Sequence, residues 1–274
     1  MIDHLRAYLQ SFPAVQRTNR LREYLQWLIL RSINQHQLYK HLAFVGGTAL
    51  RIIYDTGRFS EDLDYTLLPG KTFIFHDMAG RITEDMTRLG LACNCYALKE
   101  SKAVQSCFFR FSHLLHPLEL SANTEQKLSI KVEVDANPPY GGVIDEYFHP
   151  GPLMFSVLHH DLPSLFAGKL HALLFRPYSK GRDFYDLMFF LSKRTPFNLT
   201  LLKNAAAQTD PDVNLNSAGD CILLLKERLR QCTNPRIAND LAPFLLHPDD
   251  IHHITLENLI RAIDQNVDAG ILEQ

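Results

Sequence analysis

Two aspartates stand one residue apart in the segment Asp62-Leu63-Asp64-Tyr65-Thr66-Leu67, which has the composition of a short strand. Side chains alternate between the two faces of a strand, so Asp62 and Asp64 project from one side and Leu63 from the other. Two carboxylates about 7 Å apart along one strand repel each other, and a divalent cation relieves that repulsion. Hard oxygen ligands of this kind suit Mg²⁺. The pair predicts a metal site, whereas an isolated Asp-x-Asp is usually a solvated strand or turn.

A glycine pair precedes this strand in an arrangement that favours phosphate binding. Residues 43–45 predict a short strand, Gly46-Gly47 a turn and residues 48–54 a helix. Glycine lets backbone N–H groups come close to a phosphate, and the start of a helix is electropositive. A lone Gly-Gly is usually only a turn. The order of strand, glycine turn, helix and Asp-x-Asp strand nevertheless predicts a metal-dependent nucleoside triphosphate site, with these phosphate contacts: Gly46, Gly47, Thr48, Arg58 and Ser60.

Composition limits the class of protein. The chain has 274 residues, 46% of them hydrophobic and 21% charged, which is typical of a globular protein and allows two modest domains. The net charge of −2 means that any basic surface must be local. The sequence shows neither a signal peptide nor an apolar run long enough to cross a membrane. Its five cysteines fit no disulfide framework, so we expect reduced thiols and a cytoplasmic protein.

A second strand supplies a third acidic candidate. Residues 128–135 alternate without error between apolar side chains and the polar side chains of Ser129, Lys131, Glu133 and Asp135. On its own, this pattern describes a half-exposed strand. If its polar face lies beside Asp62 and Asp64, then Asp135 is the third carboxylate. Three such carboxylates can hold two Mg²⁺ ions about 4 Å apart, the arrangement used in phosphoryl and nucleotidyl transfer.

Proline and glycine mark a boundary near residue 150. Residues 137–152 are rich in both, which predicts a connection between a first domain, 1–150, and a mainly helical second domain, 151–274. A helix beginning near Asp161 carries Lys169 and Arg176. The next helix, from about Arg182, carries Asp183 and Asp186 on one face. Further helices are expected near 199–207, 217–231, 236–246 and 255–268.

Four segments together resemble the motifs of AbiEii/MenT-type nucleotidyltransferases, which belong to the polymerase-β-like superfamily. The first motif corresponds to Gly46-Gly47-Thr48-Ala49-Leu50 followed by Arg58-x-Ser60-x-Asp62-x-Asp64, and the second to Lys131-Val132-Glu133-Val134-Asp135. The third and fourth correspond to the stretch from Lys169 to Asp186. The resemblance implies an α+β fold, a mixed sheet with flanking helices followed by a helical region. It also implies these catalytic residues: Asp62, Asp64, Asp135, Lys169 and Asp186.

The resemblance further implies a toxin of a toxin–antitoxin or phage-defence system. Its expected reaction moves a nucleotide from an NTP to the 3′ acceptor end of tRNA and releases pyrophosphate. Its expected partner is an antitoxin. Lys169 would neutralise charge on the triphosphate, and Asp186 would orient Lys169 or the acceptor. The same site chemistry would also serve transfer to a protein or small molecule, or kinase-like transfer of the terminal phosphoryl group. A non-catalytic module that binds nucleotide or a partner protein is a further alternative, against which the intact Asp62, Asp64 and Asp135 argue.

Overall fold

The computed structural model describes residues 1–213 and 215–272 and has an α+β fold. Strands dominate its first part and helices the remainder, as expected from the sequence. In chain order the elements are α1 (Ile2–Gln10), α2 (Arg17–Gln35), β1 (Leu42–Val45), α3 (Gly46–Tyr54), β2 (Leu63–Leu67), α4 (Phe75–Arg88), β3 (Cys93–Lys99), β4 (Val104–Phe111), β5 (Leu128–Asp135), β6 (Ile144–His149), β7 (Phe155–His160), α5 (Leu162–Phe175), α6 (Gly181–Ser192), α7 (Leu199–Thr209), α8 (Ala218–Arg230), α9 (Asn234–Leu241) and α10 (Leu256–Asp268).

The described strands form one seven-stranded sheet in the order β3-β4-β5-β2-β1-β7-β6. β1 is antiparallel to β2 and parallel to β7, and β2 is parallel to β5. β4 is antiparallel to both β3 and β5. The sheet is therefore mixed, which confirms the predicted fold class. The register sets Asp64 of β2 between Val45 of β1 and Glu133 of β5.

β5 has the bounds that its alternating pattern predicts, with one face in the core and the other carrying Glu133 and Asp135. Its four apolar side chains are buried and its four polar side chains are partly exposed. Each buried aliphatic side chain contributes about 1.5–3 kcal/mol. Helices α2 and α4 pack against the strands β3, β4 and β5. α4 contributes buried residues at helical spacing: Phe75, Met78, Ala79, Ile82 and Met86.

Polar residues at the helix N-termini determine where several C-terminal helices begin. Asp161 caps α5, since its Oδ1 accepts the backbone N–H of Ser164 at 2.9 Å. Ser217 and Asp220 form a reciprocal capping box at α8. Inside the helical region, the rings of Phe166 and Phe190 stack with centroids 4.4 Å apart.

The structure differs from the sequence-based expectations at three element boundaries. Residues 144–149, expected to lie in a connection, form strand β6. α3 begins at Gly46 rather than at residue 48, so the glycine pair belongs to the helix. β2 begins at Leu63, which leaves Asp62 immediately before the strand.

The chain divides into two compact units. The first comprises Met1–Ile53, Phe59–Asn137 and Glu146–His159, and the second comprises Tyr54–Arg58, Pro138–Asp145 and His160–Gln274. The predicted domain boundary near residue 150 stays a prediction, and residues 214, 273 and 274 of the predicted second domain lie outside the described residues. Among the helices that the structure describes, none is both long and apolar enough to cross a membrane.

Candidate active site

The start of α3, which follows β1 directly, lies against the Asp64 carboxylate. Val45, the last residue of β1, is paired with Asp64, and Gly46 follows with φ +78°. A Cβ atom on Gly46 would lie 2.3 Å from Asp64 Oδ2, which no real side chain tolerates. Glycine is therefore required here both by the left-handed backbone and by the nearby carboxylate. The backbone at the start of α3 and the Asp64 side chain therefore meet at one place, and the use of this place as a phosphate and metal site stays a prediction.

The loop that carries Asp62 is fixed from two sides. Thr48 is fully buried, and its hydroxyl donates to the backbone carbonyl of Asp62. Gln26 of α2, also buried, donates its amide N–H to the carbonyl of Ser60 at 3.0 Å. The Thr48 hydroxyl thus holds this loop in place. Phosphate contacts by Gly46, Gly47, Thr48 and Ser60 stay a prediction.

A buried charge network supports this loop from α2 and α3. The Glu23 carboxylate accepts the Arg51 Nε–H at 2.7 Å and an Arg20 N–H at 2.9 Å. Both guanidinium groups also lie over the Phe59 ring, at 5.1 Å for Arg20 and 5.7 Å for Arg51. Phe59 is itself buried. These contacts anchor the residues just before Asp62, so the Asp-x-Asp segment has a rigid base.

Two acidic residues of β5 follow on the polar face beside β2. Glu133 pairs with Asp64, while Asp135 pairs with Thr66, one step further along the same face. The Lys131 ammonium lies 2.7 Å from Glu133. The sequence pattern predicts Asp135 as the third carboxylate and does not point to Glu133. The pattern shows which side chains share a face but not which one lies opposite Asp64.

These carboxylates are hard oxygen donors of the type that Mg²⁺ prefers. Within residues 1–213 and 215–272, no three His, Cys, Asp or Glu side chains form a ready-made metal site. The predicted convergence of Asp135 with Asp62 and Asp64 is therefore not observed as a preformed group, and its metal role stays a prediction. Mg²⁺ is usually held by one or two carboxylates together with substrate phosphates rather than by a complete protein cage. Asp62 and Asp64 fit that manner of binding.

Burial changes how readily Asp135, the last residue of β5, takes up a proton. It raises the pKa of Asp135, and the backbone N–H of Asn137, which donates to Asp135 Oδ1 at 2.9 Å, opposes part of this effect. A carboxyl with a raised pKa is a better proton acceptor than an ordinary aspartate. This property suits the predicted role of Asp135 in taking the proton of an attacking hydroxyl.

In the second unit, Asp186 lies at the centre of a buried charge cluster. Arg58 holds it with two parallel hydrogen bonds, from Nε and Nη2, each 2.6 Å long. Lys169 Nζ lies 2.8 Å from Asp186 and 3.5 Å from Asp183. Arg176 lies 3.3 Å from Asp183. Arg58 is almost completely buried, so its predicted phosphate contact would require the pair with Asp186 to open.

The cluster is held together by charge. Burial alone would raise the pKa of Asp186, but the charges of Arg58 and Lys169 outweigh burial and hold that pKa below its ordinary value. Three cations, Arg58, Lys169 and Arg176, contact the two carboxylates of the cluster. The Arg176 side chain is 49% exposed and the Lys169 side chain 14% exposed, so an anion can approach Arg176 more readily than Lys169. The structure thus brings together Lys169 and Asp186, two residues that the family resemblance singles out.

Comparison with known proteins identifies the family. The model of the family described as "Nucleotidyl transferase AbiEii toxin, Type IV TA system" matches residues 28–265. The chain belongs to this AbiEii family. Its members are nucleotidyltransferase toxins of type IV toxin–antitoxin systems, which implies an NTP substrate and an antitoxin partner. The family that the sequence motifs resemble is thereby confirmed.

Solved structures agree on the fold. A candidate nucleotidyltransferase from H. pylori has 17% sequence identity and a TM-score of 0.59, with 92% of this chain and 96% of that chain covered. JHP933 from Helicobacter pylori also has 17% identity, with a TM-score of 0.58 and coverage of 92% and 93%. At this identity the likeness shows the fold alone. No curated protein matches the chain. Membership of the AbiEii family therefore rests on the family match.

Proposed function

We propose that this AbiEii-family protein transfers a nucleotide from an NTP to the 3′ hydroxyl of a tRNA acceptor end, in a reaction that depends on Mg²⁺. One observation carries the proposal. The Asp64 carboxylate lies against the backbone of Gly46 at the start of α3, where there is no room for a side chain on residue 46. A carboxylate beside the N-terminus of a helix fits a triphosphate and its metal together.

In this proposal the acceptor oxygen attacks the α-phosphorus, and the bond to the bridging oxygen breaks as pyrophosphate leaves. Two Mg²⁺ ions would neutralise the triphosphate and lower the pKa of the attacking hydroxyl. Asp62 and Asp64 hold the metal ions, and the backbone of Gly46, Gly47 and Thr48 positions the phosphates. Asp135 takes the proton released by the hydroxyl.

Lys169 and Asp186 keep the roles that the family resemblance gives them. Lys169 neutralises charge that develops on the triphosphate, and Asp186 orients its ammonium group. The 2.8 Å contact between Lys169 Nζ and Asp186 Oδ2 supports the orienting role. A cytoplasmic location, where NTP and tRNA are plentiful, completes the proposal.

Label transfer tests the reaction directly. The protein is incubated with total tRNA, Mg²⁺ and NTP labelled at either the α- or the γ-phosphorus. We expect the α-label on tRNA and pyrophosphate in solution, and loss of both with Asp64→Asn. The matched control is Asp77→Asn, which alters an exposed carboxylate on α4 and should leave transfer unchanged.

The position of the label separates the alternatives. Label from the γ-phosphorus on the product would mean kinase-like transfer, and label on protein or small molecules with tRNA untouched would mean a different acceptor. Glu133→Gln and Asp135→Asn extend the test to β5. Because Glu133 pairs with Asp64, its loss should impair transfer as well. Undiminished transfer by Asp135→Asn would remove that residue from the proposal.

A further inference from the structure

The face of the sheet that carries the acidic residues also carries a row of rings and cations. Tyr96 of β3 pairs with Phe108 of β4, and Phe108 pairs with Lys131 of β5. The Arg110 guanidinium lies 3.5 Å from the centre of the Tyr96 ring, and Lys131 Nζ lies 5.9 Å from that of Phe108. Directly paired residues share a face. We call these four residues the aromatic row: Tyr96, Phe108, Arg110 and Lys131.

Within the aromatic row, Tyr96 is exposed and the other three side chains are partly exposed, whereas several side chains on the opposite face of the same strands are buried. Cys93, Cys107, Phe109 and Ile130 point the other way and are buried. Tyr96 lies on β3, an edge strand of the sheet, and is 52% exposed. Arg110 has no carboxylate partner among the residues described, so its charge is not neutralised by the protein.

The aromatic row leads to the metal-binding carboxylates. Lys131 immediately precedes Val132, which pairs with Leu63, and Asp62 immediately precedes Leu63. Successive positions across the sheet are therefore occupied by Tyr96, Phe108 and Lys131, and then by Asp62 immediately before β2. At about 4.8 Å between strands, the row spans roughly 14 Å from Tyr96 to Asp62, the length of a few nucleotides.

We propose that the aromatic row binds unpaired bases at the 3′ end of a single-stranded nucleic acid and delivers its terminal hydroxyl to the carboxylates. The inference rests on the proposed function, because it assigns a binding path to the nucleic acid that accepts the nucleotide in that reaction. The exposed Tyr96 ring and the partly exposed Phe108 ring can stack on any base, and Arg110 and Lys131 supply the positive charge that a phosphate backbone needs. Bases within a duplex are already stacked and paired, so the row selects an unpaired end.

Binding of a short single-stranded RNA with a fluorescent 5′ label, measured by anisotropy without NTP or Mg²⁺, tests the row apart from catalysis. We expect Tyr96→Ala to weaken binding about tenfold and Tyr96→Trp to restore it, because the stacking surface is what matters. Tyr140→Ala is the matched control, since that ring is 79% exposed but lies outside the sheet. A blunt duplex should bind equally weakly to all variants. Circular dichroism verifies that each variant is folded.

The possible results separate this inference from the proposed function. Equal single-strand binding by Tyr96→Ala and the wild type would overturn the row as an acceptor path, whatever happens to catalysis. A rise in the KM for NTP with unchanged RNA affinity would also overturn it, because the row would then hold the base of the NTP. Tyr96-dependent binding by a protein that transfers no label would support the row and count against the proposed function.

Discussion

At the residue scale, Gly46 combines a backbone requirement with a steric one. Its φ of +78° disfavours every other residue type, and a Cβ would lie 2.3 Å from Asp64 Oδ2. Gly46→Ala should lower the free energy of unfolding by about 2 kcal/mol or more, from left-handed strain plus displacement of the carboxylate. Nucleotide transfer should fall to the level of Asp64→Asn. Urea unfolding and label transfer measure the two effects.

Gly70 provides the control for the Gly46 experiment. It has a similar φ of +71°, but no atom lies within 4 Å of the position of an added Cβ. Gly70→Ala should therefore cost only the backbone strain, about 1–2 kcal/mol, and should leave transfer intact. If both variants lost stability equally and both kept full transfer, the contact between Gly46 and Asp64 would have no part in the chemistry.

At the scale of elements, buried charge pairs fix α6 to its surroundings within the second unit. Asp186→Asn leaves Arg58 buried with half of its partner missing, so we expect a loss of about 3–5 kcal/mol near neutral pH. The pKa of Asp186 is lowered in the folded protein. Its contribution to stability is therefore present above the unfolded-state pKa of about 3.9 and is lost as the pH falls through the folded value.

Chemical unfolding of wild type and Asp186→Asn at a series of pH values measures this effect. The gap in unfolding free energy should be largest near neutral pH and should shrink as the solution is acidified below about pH 4. Asp77→Asn, at an exposed position, is the reference for loss of an ordinary carboxylate. A gap that stayed constant throughout the acid range would show that Asp186 contributes through shape rather than charge.

The elements also show how far the sequence predicts the structure. β5 could be placed residue by residue, because alternation between buried and polar positions is a local property. β6 was missed, because Gly and Pro flank a strand whose exposed charged side chains give no clear alternation. The alternation of β5 predicts that Glu133 and Asp135 share a face, but it does not predict the position of Glu133 opposite Asp64, since register is set by packing between distant segments.

The sequence gives even less indication of the buried charge cluster around Asp186. Lys169 has no local signal that distinguishes it from Lys131, and only the family resemblance pointed to it. Arg58 was predicted as a phosphate contact from its place near Asp62. In the structure Arg58 is paired with Asp186, which lies far along the chain, and its phosphate contact stays a prediction. Long-range ion pairs of this kind depend on tertiary structure, which strand and helix periodicity does not encode.

At the scale of the whole molecule, charge limits how nucleic acid can bind. The net charge is −2, so no general electrostatic attraction draws RNA to the protein. The only charges assigned to the RNA path are Arg110 and Lys131, and Lys131 is already shared with Glu133. Affinity must therefore come mainly from stacking on Tyr96 and Phe108, which salt does not screen.

Because stacking supplies more of the affinity than charge does, we predict that binding of the single-stranded RNA depends only weakly on salt concentration. One to two phosphate contacts give a slope of about −0.7 to −1.4 in a plot of log affinity against log salt concentration. Arg110→Gln should reduce the magnitude of that slope by about 0.7, while Tyr96→Ala should weaken binding at every salt concentration and leave the slope unchanged. Anisotropy titrations over a range of KCl concentrations measure both quantities. A steep slope that Arg110→Gln does not alter would place the RNA on a different, more basic surface, because only phosphate contacts elsewhere could release that many counterions.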